Sequence, residues 1–311
     1  MIDTVVAALL PIVVTLGLGY FAGWHHDFNA SQGGVLNRMV MLYALPLTLF
    51  AGMMGIERAQ LLAQGPMAAL LAICMTASYA LVFVLARKVF RRDIKTAALL
   101  ALAVSGPAAP FVGMPVLGEL YGGISAAPVA LCGLVMNLVQ VPATLFVLSR
   151  DANEDENEPQ DTPVDMFNKT LREPIVWAPV LAFVLLILDV RLPGQIRASL
   201  QLLGGATGGV ALFASGVILF SYRIALSRTV AWAVVVRNVV IPAAALAIGL
   251  WMGMETDALR MSVITLAIPT ASICVILAVQ YHVAEQEMAS ILGVSTLFSV
   301  VTMAAFLLAP A

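Results

Sequence analysis

Charge is scarce in this sequence. Asp, Glu, Lys and Arg make up 11% of it, against roughly 25% in a soluble domain. Acidic residues are nearly absent from the centres of the apolar runs. Glu119, Asp189 and Glu255 fall at run ends, so no carboxylate relay for protons is visible. The net charge of -2 comes with no basic patch outside short loops, which excludes a nucleic-acid partner. Cysteine is limited to Cys74, Cys132 and Cys274, all in apolar runs and none in a C-x-x-C pair. They read as small core residues, with no disulfide or metal framework. His25, His26 and His282 are scattered at run ends and read as interface residues. There is no Walker loop, no H-E-x-x-H and no G-x-S-x-G, which excludes ATP-driven transport and the common hydrolase sites. No enzyme activity and no cofactor are expected. The start, Met1-Ile2-Asp3-Thr4, lacks the basic n-region of a signal peptide, so the first apolar run is expected to be retained.

What is abundant is apolar sequence: 61% of residues, with a mean hydropathy of +0.98. A spanning helix needs about 20 apolar residues, and ten stretches qualify, at about 3–24, 34–54, 66–87, 96–119, 124–149, 174–190, 200–222, 230–252, 259–281 and 287–308. The pattern predicts an all-α polytopic membrane protein embedded in lipid. An acidic run from Arg150 to Glu173 reads as a solvated linker. It divides the spans five and five, giving a first half over 1–155 and a second over 156–311. An odd number of spans per half forces the halves into opposite topology. Lys and Arg in the loops set the orientation. With the N-terminus outside, eleven basic residues, from Arg38 to Arg228, fall inside, and four (Arg58, Arg191, Arg197 and Arg260) fall outside. Both termini are therefore expected outside.

Proline breaks the fourth and ninth stretches at matching places. The first break reads Ser105-Gly106-Pro107-Ala108-Ala109-Pro110-Phe111-Val112-Gly113-Met114-Pro115, and the second Ile268-Pro269-Thr270-Ala271-Ser272. Pro110 and Pro269 are about 159 residues apart, near half of 311. Proline removes a backbone donor, and freed backbone groups at membrane depth must be buried in protein or line a wet cavity. Pro46, Pro142 and Pro242 interrupt three further stretches and read as kinks. Gly205 and Gly209 form a small-x-x-x-small pattern, read as close helix packing.

These residues resemble a known family. Phe111-Val112-Gly113-Met114-Pro115 is similar to the aromatic-x-Gly-x-Pro signature of the fourth helix in the auxin efflux carrier family. Pro269-Thr270-Ala271-Ser272, with Leu277-Ala278-Val279-Gln280-Tyr281, resembles that family's ninth-helix signature, and Pro46 fits its second helix. The whole chain looks like a bacterial member, of the malonate-transporter-like branch. The resemblance implies a fold shared with bile-acid sodium symporters: two inverted five-helix repeats forming a scaffold domain and a core transport domain, with broken helices 4 and 9 crossing in the core. It implies a secondary transporter of a small organic anion, a carboxylate such as malonate or an auxin-like acid, working by elevator-type alternating access in the bacterial inner membrane. Coupling to H+ or Na+ and a homodimer follow as family-level expectations. Two rivals remain open, a sodium-coupled symporter of the bile-acid type and a membrane receptor that binds without moving its ligand.

The chemistry of a broken helix points the same way. Its second half begins with free amides and partial positive charge, which suit an anion. Backbone around Pro110–Gly113 and Pro269–Ser272 is expected to hold a carboxylate, with Gly113 allowing close approach and Ser105, Thr270 and Ser272 adding hydroxyls. Pro115 completes the first motif. Arg237 is the one basic residue well inside a span, followed by Asn238. It either docks an anion or snorkels to the interface. Asn137 and Gln140, one turn apart, either line the substrate path or bond between helices.

Overall fold

The computed structural model of the chain describes residues 2–55, 64–121, 126–149, 172, 174–222 and 224–308. The expected acidic linker, 150–173, lies outside these residues except for Arg172. Among the described residues the chain is all helix, apart from one isolated bridge between Pro107 and Thr270. Six helical runs are long and apolar enough to cross a membrane: Ala30–Met53, Gly65–Lys88, Ala127–Leu148, Gly194–Ser221, Arg228–Trp251 and Glu285–Leu308. Val13–Trp24, Ile94–Ser105 and Val176–Ile187 are shorter apolar helices. This is a polytopic helical membrane protein.

In chain order the helices are α1 (Ile2–Trp24), α2 (Ala30–Met39), α3 (Leu45–Met53), α4 (Gly65–Lys88), α5 (Ile94–Ser105), α6 (Met114–Tyr121), α7 (Ala126–Val135), α8 (Val141–Leu148), α9 (Pro174–Ile187), α10 (Gly194–Gly204), α11 (Ala206–Tyr222), α12 (Arg228–Val235), α13 (Ile241–Trp251), α14 (Thr256–Ala267), α15 (Ile273–Gln280) and α16 (Glu285–Leu308).

The prolines read as kinks have a specific local cause. Each follows a π-helical segment of five residues: Val40–Ala44 before Pro46, Met136–Gln140 before Pro142, and Val236–Val240 before Pro242. The residue just before each proline bonds five back instead of four: Leu45 N–H to Val40 O, Val141 N–H to Met136 O, and Ile241 N–H to Val236 O. The wider turn makes room for a pyrrolidine ring that would otherwise strike the preceding turn. It also turns Asn137, Gln140, Arg237 and Asn238 inward, and all four are buried.

The helices pack in two groups. In the first, α1 lies along α11, α2 along α11, and α3 against α9 and α10. In the second, α4 packs on α5, α7 and α13, α5 on α8, α13 on α14, and α16 on α12, α14 and α15. Arg92 ties the α4–α5 turn into the second group, donating to Glu287 at 2.7 Å and to Thr229 at 2.9 Å. The groups meet where α2 faces α15 and where α16 faces α1 and α11.

The tightest crossing is α1 on α11. A Cβ on Gly19 would fall on the carbonyl of Phe213, and one on Gly216 on the carbonyl of Leu16. Gly205 and Gly209 do not do this work, contrary to the sequence reading. A Cβ on Gly209 meets nothing within 4 Å, and one on Gly205 meets only Gln201 O of its own helix. Their neighbour Gly204 is the close contact, since its Cβ would lie 3.0 Å from Thr48 N.

One residue sits badly where the groups meet. Asn37 of α2 is 2% exposed, and neither its Oδ1 nor its Nδ2 has a hydrogen-bond partner. It lies a turn from Gly33, which faces Ile218 and Val217 of α11, and from Gly34, which faces Val279 of α15. A buried unpaired polar group costs ~1–3 kcal/mol. Asn37→Leu, of similar volume, is therefore expected to raise the melting temperature of the detergent-purified protein. An unchanged or lower value would mean that the amide is satisfied in solution.

Candidate functional site

The site is built where two helices stop in mid-fold. α5 ends at Ser105 and α14 at Ala267, and each chain then runs extended past the other. Ala108 N–H donates to Pro269 O at 2.9 Å, and Ala271 N–H donates to Gly106 O at 3.0 Å. These reciprocal bonds pair Pro107 with Thr270. The sequence had matched Pro110 with Pro269. The register differs because the crossing is set by backbone donors, and Pro107, Pro110 and Pro269 supply none.

Carbonyls at the ends of both first halves have partners. Leu102 O accepts from Gly106 N–H, Ala103 O from Thr270 Oγ1 at 2.9 Å, and Val104 O from Arg237 Nη1 at 3.2 Å. Ile268 O, which ends the other half-helix, accepts from Arg237 Nε at 3.1 Å and Nη2 at 2.6 Å. Arg237 is 0% exposed, so its head does not snorkel. No acidic side chain pairs with it among the described residues. Its counter-charge is the two helix ends. Each helix C-terminus carries about half a negative charge, so two of them balance about one guanidinium.

From the far side, α16 and the π-segment Val236–Val240 brace the crossing. Thr270 N–H donates to Ser295 Oγ, Ser295 Oγ donates to Asn238 Oδ1 at 2.7 Å, and Asn238 Nδ2 donates to Ser295 O at 2.9 Å. Asn238 and Ser295 were not singled out as site residues. The amide directly after Arg237 was the available signal.

The amide end of the second broken helix, at the start of α15, is left open. Cys274 N–H is taken by Ala271 O and Val275 N–H by Ser272 O. The amides of Ser272 and Ile273 have no acceptor among the described residues, and the Ser272 hydroxyl makes no capping bond. Ser272, Ile273 and Ala108 line a small cavity of about 20 Å³, together with Asn137. Asn137 is 2% exposed and its Oδ1 has no partner.

Asn137 and Leu49 are shared with a larger cavity of about 500 Å³ directly above. Its walls come from α3 and the turn after it, α7 and α10, carrying Thr48, Gly52 and Gly55, Ala130 and Gly133, and Arg197, Gln201 and Gly204. Small residues hollow it out. A Cβ on Gly52 meets nothing within 4 Å, and one on Gly133 meets only Asn137 Nδ2, at 3.9 Å. The cavity runs from the last turn of α3 and the first turns of α7 and α10 along to Asn137 and Gly204.

The expected site residues divide accordingly. Ser272 and Asn137 face the cavities. Arg237 and Thr270 cap helix ends, and Thr270, in the crossing itself, also lines a second small cavity with Pro269 and Ser272. Ser105 and Gln140 are joined to each other: Gln140 Nε2 donates to Ser105 Oγ at 2.9 Å and to Met75 O at 3.0 Å. The π-segment carries positions i and i+3 further apart round the axis than an α-turn does, so Gln140 and Asn137 point different ways. Gly113 gives close approach to protein. Its Cβ would meet Ile268 Cδ1 and Val129 Cγ2, both at 3.0 Å. Pro269 lies in the crossing strand and supplies the carbonyl for Ala108. Pro110 and Pro115 lie in the helical segments after the first break, and their side chains lie outside the described residues.

Similarity to known proteins agrees with this architecture. The profile of a family described as membrane transport protein matches residues 4–307. The chain is 29% identical over 304 residues to the uncharacterized transporter YfdV of Escherichia coli strain K12, covering 97% of this chain and 96% of that one. It shows the same similarity to the proteins of that name from Escherichia coli O157:H7 and Shigella flexneri. A match over nearly the whole length, on a polytopic helical fold with two crossed broken helices, means that the chain belongs to the membrane transport protein family, that of the auxin efflux carriers.

Proposed function

We propose that the protein is a secondary transporter of a small organic anion, a carboxylate of the malonate type, in a bacterial inner membrane with both termini outside. The observation that carries this reading is the large cavity that shares Asn137 and Leu49 with the small one at the unpaired amides of Ser272 and Ile273. Free amides at a helix start favour negative charge, and Arg237 offsets the opposing partial charge of the two helix C-termini beside them. The two helix groups correspond to a scaffold (α1–α3 and α9–α11) and a core (α4–α8 and α12–α16). Each draws helices from both halves of the chain, as expected of two inverted five-helix repeats. Elevator-type movement of the core against the scaffold would carry the crossing from one side to the other.

The sodium-coupled alternative is less well supported. A coupling cation at the crossing needs oxygen ligands, and Arg237 already holds the carbonyls of Val104 and Ile268. Uptake is expected to be unchanged when Na+ is replaced by K+. An imposed potential should drive it, at ~2.3 kcal/mol per charge per 100 mV.

The test is radiolabelled malonate uptake into proteoliposomes, wild type beside Gly133→Leu. Gly133 suits this purpose better than Gly113. A side chain at Gly133 grows into open cavity, whereas one at Gly113 strikes Ile268 and Val129 and would confuse folding with function. Gly133→Leu is expected to melt at or above the wild-type temperature and to lose at least about tenfold in flux, equivalent to 1.4 kcal/mol or more. Equal flux in both would remove the cavity from the mechanism. Absence of wild-type flux with any small carboxylate, alongside saturable binding, would favour a receptor.

A further inference from the structure

We infer that Arg197, with Gln201 one turn below it, forms a separate capture site for the carboxylate at the mouth of the cavity, from which the anion passes to the crossing. This rests on the transport reading above. Arg197, Gln201, Gly204 and Gly205 recur at i, i+4, i+7 and i+8 on α10, and all four line the cavity. One face of the helix is therefore committed to it. Arg197 reaches across the mouth. Its Nη1 lies 4.0 Å from where a Cβ on Gly55, just past α3, would sit. Its side chain forms no ion pair and no hydrogen bond with any described residue, and no other charged side chain among the described residues lines the cavity.

A lone cation in a cleft with low-dielectric walls concentrates anions there and speeds their capture. Gln201 adds donors on the same face. Arg197 and Thr207 are ten residues apart, about 15 Å along a helix, and Thr207 borders the small cavity at Ser272. A carboxylate of a few carbons cannot touch both places. There are thus two stations: an outer one that selects for charge, and an inner one that holds the anion on backbone amides and Asn137. The substrate class this predicts is a small anion, with weak selection for the shape of its remainder, because apart from Thr48, Asn137, Arg197 and Gln201 the cavity walls are apolar or glycine.

Two measurements test this, both on the full-length protein. The first reads the field without requiring transport. Gln201→Cys places a thiol beside Arg197, and the three native cysteines are buried. Its rate of modification is compared for an anionic sulfonate and a cationic trimethylammonium methanethiosulfonate. Adding Arg197→Gln is expected to lower the anionic-to-cationic rate ratio about tenfold. The second is malonate uptake well below saturation. Arg197→Gln is expected to lose about tenfold at low ionic strength and to lose its salt dependence, whereas Arg197→Lys keeps both within about threefold. An unchanged modification ratio overturns the capture site. So does a loss of uptake with intact salt dependence, which would be a structural effect. A changed ratio in a protein that moves no carboxylate keeps the anion site and overturns the transport reading instead.

Discussion

Arg237→Leu is expected to yield protein that fails to reach the folded state in membranes. The substitution removes the donors that satisfy Val104 O and Ile268 O. It also removes the charge opposite two helix C-termini. Each unpaired buried carbonyl costs ~1–3 kcal/mol in proteins generally, and more where no water can reach it. Two carbonyls plus the unmatched helix dipoles come to roughly 5 kcal/mol, which is comparable to the whole stability of many proteins. Arg237→Lys restores the charge as a single point and lacks the planar fork that serves two carbonyls at once. It should therefore fold with a depressed melting temperature. The check is thermal unfolding and size-exclusion behaviour in detergent for the three proteins. A leucine variant that folded with normal stability would mean that the crossing is held without Arg237.

Gly216→Leu is expected to be nearly as damaging, for a different reason. Its Cβ would collide with the carbonyl of Leu16 and come within 2.8 Å of Tyr20 N. Both are backbone atoms that cannot rotate aside. The α1–α11 crossing must then separate, with loss of the Tyr20–Phe220 edge contact at 5.3 Å and of the close backbone approach on which helices in lipid depend. Overpacking of this kind costs at least ~1–3 kcal/mol, and more when the obstacle is main chain. Gly209→Ala, in the same helix, is the control. Its Cβ meets nothing within 4 Å, and replacing a mid-helix glycine stabilises by about 0.5–1 kcal/mol. The pair should shift the melting temperature in opposite directions. A destabilising Gly209→Ala together with a tolerated Gly216→Leu would refute this assignment of the crossing.

The two glycines also show where sequence reading stops. A missing Cβ looks the same in a sequence whether it admits a neighbour or leaves a void. Gly205 and Gly209 had the spacing of a packing motif, yet neither meets another helix. Gly113 was expected beside a ligand and is filled by Ile268 and Val129. The breaks themselves were legible because proline has a fixed local chemistry. Their register was not, because it depends on which donors remain once the prolines have removed theirs. Arg237 stood out by being charged where charge is costly, yet its partners are backbone carbonyls 31 and 133 residues away, which no side-chain pattern announces. Arg197 was hidden for the opposite reason. It lies near a helix start, where a basic residue reads as an interfacial anchor, and only the walls supplied by α3 and α7 turn that position into a cavity.

The caps on the first broken helix come from far down the chain. Ala103 O waits for Thr270, and Val104 O waits for Arg237. Chains are made at about 5–20 residues per second, so the end of α5 is in place for roughly 7 s or more before its guanidinium is synthesised. Through that interval the first half sits in the translocon or lipid with open carbonyls and no way to close them. It is an unfinished insertion intermediate, and a chain stopped at the linker would present the same exposed helix end to membrane quality control. Closure of the break is therefore delayed for the first half and immediate for the second.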